Sequence, residues 1–202
     1  MHLNCDRLLL ISFSFFLLFT AYLVAQGLAG KVLNELGYGD FGFYSLGLLY
    51  FVFGMACFVS TPIVKKCGER SSLFFASLGY GLFVSSFILA SMPLEYPDLK
   101  GKWYLNENFI KFMVMFGASA CGFGAAVLWT ANGRYISTCA SNKNKGLFNA
   151  VFWGIMQISS IICYIAAALI LAKFNYVPFY ITMTVVSILA SLFFLLLCKP
   201  VA

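Results

Sequence analysis

The chain has 202 residues, of which 62% are hydrophobic and 10% charged, with a mean hydropathy of +0.91 and a formal charge of +6. A soluble domain of this length is excluded, because too few polar side chains remain to cover its surface. The fold class is therefore all-α and integral to a membrane: a backbone in hydrocarbon must satisfy its own hydrogen bonds, and about 20 apolar residues cross the core as a helix.

Six apolar runs are long enough to span, at 8–30, 41–64, 71–92, 110–133, 147–172 and 178–197, and together they predict one six-helix membrane domain over residues 1–202. The first run carries Asp6 and Arg7 only at its start and ends without a small-residue cleavage pattern. It is read as a retained helix rather than a removed signal peptide. Between runs one and two lies "NELGYGDFG", whose Gly37-Tyr38-Gly39-Asp40 has the letters of a potassium-channel filter. A filter needs a short pore helix ahead of it, and at about 1.5 Å per helical residue the segment from Lys31 to Asp40 is too short to supply one. Gly37 and Gly39 are read instead as turning the chain between antiparallel helices. After the third run, residues 93–109 hold Pro93, Pro97, Gly101 and several acidic residues, the pattern of a polar surface loop.

The fourth run, "FGASACGFGAAVLWTANGRY", offers overlapping small-xxx-small pairs at Ala118/Gly122, Ala120/Gly124 and Gly122/Ala126. Such pairs let a neighbouring backbone approach closely, so Ala118, Gly122 and Ala126 are expected to form a packing seam. Trp129 and Tyr135 mark the approach to the interface, and Arg134 is expected to snorkel to lipid headgroups.

None of the six runs carries Asp, Glu, Lys or Arg near its middle, which argues against proton relays, voltage sensing and most ion-coupled transport. What remains is amide chemistry: Gln26 in run one, Asn132 in run four, and Asn149 with Gln157 in run five. They could line a small polar cavity, or they could bond between helices at about 0.6 to 2 kcal/mol each. Being few and uncharged, they favour the second reading.

Charge is lopsided. One set of exposed segments carries Arg7, Lys65, Lys66, Arg70, Arg134, Lys143, Lys145 and Lys199 against Asp6 and Glu69, while the other balances five lysines with five acids. The positive-inside rule then puts both termini on the cytoplasmic side, or on the matrix side if the membrane is the inner mitochondrial one. These charges sit at the ends of spans, so anionic headgroups, not nucleic acid, are the expected partner of the basic residues. The seven cysteines fall on that face or within spans, and none falls in a loop of the opposite face, so no structural disulfide is expected. With no CxxC pair and His2 the single histidine, no metal or cofactor site can be assembled. No nucleophile–base pair can be assembled either, so no enzyme is expected.

Several segments carry a resemblance: "QGLAGKVLNELG", "SLGLLYFVFGMACFVSTPIVKKCGERSSL", "GYGLF", "GFGAAVLWTANGRYIS" and "GLFNAVFWGIMQISSII". Together they look like the amino-terminal half of the Unc-ninety-three-like family of the major facilitator superfamily, over about residues 20 to 175, and the most specific piece is the LWT-x-x-G-x-Y pattern. The resemblance implies a facilitator half of two three-helix repeats. It also locates "KKCGER" where facilitator transporters carry Gly-x-x-x-Asp-Arg-x-Gly-Arg. Gly68 and Arg70 remain there, but Lys65 takes the acidic place and Glu69 a basic one. That departure weakens the case for rocker-type transport.

Family members are implied to have about twelve spans in two halves, whereas this sequence carries six, so one copy holds half a cavity. Two functions follow. The first is a non-catalytic accessory or regulatory subunit of a larger membrane assembly (a channel, a receptor or an organellar respiratory-type complex), with other membrane protein subunits as partners, as the family's implied channel regulators and receptor-trafficking members suggest. The second is a small-solute transporter working as a homodimer.

Overall fold

The computed structural model describes residues 2–99, 101–141 and 143–198, so Lys100 and Lys199 of the charge pattern lie outside it. Six helices dominate: α1 His2–Leu33, α2 Phe41–Cys67, α3 Glu69–Glu95, α4 Glu107–Cys139, α5 Lys145–Leu171 and α6 Tyr176–Phe194. Each contains a window apolar enough to cross a membrane, and no strand occurs among the described residues. The protein is an all-α, six-helix membrane bundle.

The turns follow from local chemistry. Between α1 and α2 the chain makes a wide helical turn over Asn34–Tyr38, with Gly37 at φ +85° and Gly39 at φ +56°. Positive φ is where glycine alone is free of a Cβ clash, so the two glycines of the filter-like motif serve the turn. Gly68, at φ +81°, separates α2 from α3 in a single residue. One loop differs from expectation. Pro93 lies inside α3, which runs on to Glu95, so the polar connection shrinks to residues 96–106 with short 3₁₀ turns at Pro97–Leu99 and Trp103–Leu105. A proline this near a helix end forfeits one hydrogen bond without stopping the chain. The extra turn places Glu95 where its carboxylate accepts the backbone N–H of Val177 at 2.8 Å, satisfying one orphan donor of α6.

Packing has an exchange pattern. α4 sits between α2 and α3, α1 sits between α5 and α6, and α3 meets α6. Renaming α1–α3 as α4–α6 maps this set of neighbours onto itself, as two equivalent three-helix units require. The described ends of the chain share one end of the bundle: the Tyr135 hydroxyl donates to the Cys198 carbonyl at 2.9 Å, and Asn4 shares a recess with Cys139 and Ser141.

The close approaches are made by glycine. A Cβ on Gly122 would stand 2.3 Å from the Leu49 carbonyl oxygen on α2, and one on Gly124 would stand 2.5 Å from that of Ala76 on α3. Ala118, Gly122 and Ala126 are all buried. Around Phe15 of α1, fully buried, gather the rings of Phe19, Trp129, Phe152 and Phe194, with centroids 5.1 to 5.9 Å away. This cluster ties α1 to α4, α5 and α6.

Candidate functional site

A continuous face runs across α2, α1, α5 and α4. Gln26 of α1 donates its amide N–H to the hydroxyl of Tyr50 on α2. The next residue, Gly27, lies under Tyr164 of α5, whose hydroxyl is 2.9 Å from where a Cβ would be. Towards the other end of α5, Trp153 stacks on Trp129 of α4, with centroids 5.4 Å apart and planes within 12°. Tyr50, Trp153 and Tyr164 are each about half exposed, at 52%, 47% and 53%. The hydrophobic windows of α2 and α5 are only 22% buried, against 56% for α3 and α4. The bundle therefore presents these two helices outward, with aromatic and amide groups at membrane depth.

The four amides singled out in the sequence are not gathered into one place. Gln26 is half-buried on this face, and Asn149 and Gln157 are exposed on α5. Asn149 spends its amide N–H on the Lys145 carbonyl one turn back, and Gln157 accepts from Ser160 at 3.5 Å. Asn132 is different: it is buried on α4, and its Oδ1 has no hydrogen-bond partner. Of the four, Gln26 alone bonds another helix, through Tyr50; hydroxyls add Ser60–Thr130 at 2.9 Å between α2 and α4 and Ser77–Ser191 at 2.8 Å between α3 and α6. Serine and threonine also return hydrogen bonds to their own helices, so they cost little when buried.

Lys65, Lys66, Arg70, Arg134, Lys143 and Lys145 are all exposed. Arg134 has a protein partner as well. It binds Glu69 of α3, with Nε and Nη2 each 3.1 Å from Oε1. Glu69, the first residue after the turn at Gly68, supplies the arginine's partner. A double-mutant cycle of Glu69→Gln and Arg134→Gln, read by thermal unfolding in detergent, is expected to give a coupling of about 0.5 kcal/mol, because the pair is part-exposed. Strict additivity would remove the bridge as a contributor.

Sequence reasoning missed Tyr50, Tyr164 and the Glu69 partnership. An aromatic within a span looks the same whether it packs, faces lipid or binds an amide, so no one-dimensional signal distinguishes the two tyrosines.

Comparison with known proteins fits this architecture. The profile of the family described as the ion channel regulatory protein UNC-93 matches residues 39–97 and 101–202. Among relatives, UNC93-like protein MFSD11 of Xenopus tropicalis is 25% identical over 96% of this chain and 41% of its own length. UNC93-like protein 3 of Arabidopsis thaliana is 29% identical over 71% of the chain and 28% of its own. Protein unc-93 homolog A of Mus musculus is 27% identical over 80% and 35%. The chain thus spans less than half the length of these relatives. No solved structure matches it significantly. The family profile covers most of the six-helix bundle, and the chain belongs to the UNC-93 family.

Proposed function

We propose that the chain is a non-catalytic regulatory subunit of a larger membrane protein assembly, and that it docks through the face of α2 and α5. The observation carrying this reading is the run of Tyr50, Tyr164, Gln157 and Trp153, exposed at membrane depth, with Gln26 half-buried beside Tyr50. Amides and phenols facing hydrocarbon cost free energy unless paired, whereas a second protein can pair them and bury the aromatics. Membership of a family described as ion channel regulators supports the regulatory part. On this reading the basic residues at the termini-bearing end lie on the cytoplasmic or matrix side, following the positive-inside rule.

The test is chemical cross-linking and co-purification from native membranes, comparing the wild type with Trp153→Ala and Gln157→Ala. Interface tryptophans commonly contribute 2 kcal/mol or more, so Trp153→Ala should reduce the recovered partner about thirtyfold. The purified chain in liposomes should take up no solute saturably. Saturable uptake lost in the same variants would overturn the proposal in favour of a homodimeric transporter. Partner recovery unchanged by either variant would move the docking face elsewhere.

A further inference from the structure

At the termini-bearing end, two depressions meet. One, of about 230 Å³, is lined by Gly68, Glu69, Arg70, Tyr135 and the Cys198 end, and the other, of about 310 Å³, runs between α3 and α4. They share Cys67 and Ser71. The first is polar. The guanidinium of Arg70 is exposed and makes no ion pair among the described residues, because the adjacent Glu69 is already held by Arg134. Here α3 also begins, at Glu69, and its earliest N–H groups have no helical acceptors; the first intrahelical bond is from Ser72 N–H to the Gly68 carbonyl, at 3.1 Å.

The second depression is a groove walled by Phe75, Leu78, Leu82 and Phe123. From Ser71 to Leu82 it follows α3 for eleven residue steps, roughly 16 Å at helical rise, which is about half of a 30 Å hydrocarbon core. It is therefore one leaflet deep. At its polar end lies Ser72, 3% exposed, whose Oγ has no hydrogen-bond partner although it lines the groove. A buried hydroxyl without a partner is uncommon; this oxygen is closed off in the groove wall, so a carbonyl from outside satisfies it only when the wall shifts.

We propose that the paired depressions form a site for one anionic phospholipid from the leaflet at the termini-bearing end of the bundle. Its phosphate lies at Arg70 and the start of α3, its ester carbonyl accepts from Ser72, and one acyl chain fills the groove to Leu82. Charge complementarity selects the anionic headgroup: Lys65 and Lys66 are exposed nearby and also carry no ion pair among the described residues. Depth selects a single-leaflet lipid.

The experiment uses the full chain in nanodiscs of phosphatidylcholine doped with equal small amounts of phosphatidylserine or phosphatidylcholine carrying a photoactivatable group at the tail end. Labelled residues are mapped by mass spectrometry. The serine lipid is expected to label the segments around Leu82 and Ala120 about fivefold more than the choline lipid, the ratio that one surface arginine gives an anionic over a neutral headgroup. Arg70→Gln should lower the ratio, and combining it with Lys65→Gln and Lys66→Gln should bring it close to one, in neither case reducing labelling by the choline lipid. Ser72→Ala should lower labelling at Leu82 by both lipids. Raising the salt from 50 to 500 mM should shrink the wild-type ratio, which keeps the test available even if a variant does not fold. Equal labelling by the two lipids in the wild type, a ratio unchanged by Arg70→Gln or by salt, or labels mapping away from the groove would each overturn the site.

Discussion

Gly122→Leu should lower the stability of the bundle by about 3 kcal/mol, the upper end of what overpacking costs. The reason is that the neighbour is backbone: a Cβ alone would sit 2.3 Å from the Leu49 carbonyl oxygen and 3.1 Å from the Phe53 nitrogen. A side chain can rotate away from an intruder, but a helical carbonyl can move only with its helix. α2 must therefore separate from α4, and the Ser60–Thr130 bond at 2.9 Å between them is strained in the same step. Thermal unfolding in detergent and in nanodiscs reads the effect, with Gly133→Ala as control, since a Cβ there meets nothing within 4 Å. Equal melting temperatures for Gly122→Leu and the control would refute close α2–α4 packing.

Phe15→Ala should destabilise by about 2 kcal/mol, less than the same truncation costs in a soluble core. In water-soluble proteins, truncation loses both a transfer term and a cavity term. In lipid the unfolded reference is apolar too, so the transfer term largely vanishes and the lost dispersion contacts remain. Phe15 is fully buried and touches four rings on three other helices and its own, so the loss is concentrated at one point of the bundle. Steric trapping or mild denaturation in mixed micelles would measure it, and Phe15→Leu should recover part of the loss by filling volume without ring geometry. Full stability of Phe15→Ala would mean that the four rings close over the gap by themselves.

The spans were legible because a run of about 20 apolar residues has few alternatives in a membrane. Helix rotation was less legible. Gly122 and Gly124 belonged to overlapping small-residue pairs, but two residues along a helix turn the side-chain direction by about 200°. They consequently meet different partners, α2 and α3, which no reading of α4 alone could supply. The amides show the same limit. Asn132 and Asn149 look alike as letters, yet one is buried with an orphan oxygen and the other bonds its own helix at the surface. Which helix lies alongside, and at what rotation, is a property of long-range packing. Arg134 illustrates it: a terminal arginine on a span has lipid as its default partner, and only the return of α3 to the same end brings Glu69 within reach.

The helices also differ in length. α4 has 33 residues and α6 has 19, or roughly 50 Å and 28 Å along their axes at helical rise. What meets the roughly 30 Å hydrocarbon core is the apolar run, about 36 Å over 110–133 and about 30 Å over 178–197, so α4 spans with tilt and projects its polar ends while α6 spans without slack. Because mismatch costs a fraction of a kcal/mol per ångström, a membrane thicker than the apolar run of α6 is strained beside that helix first.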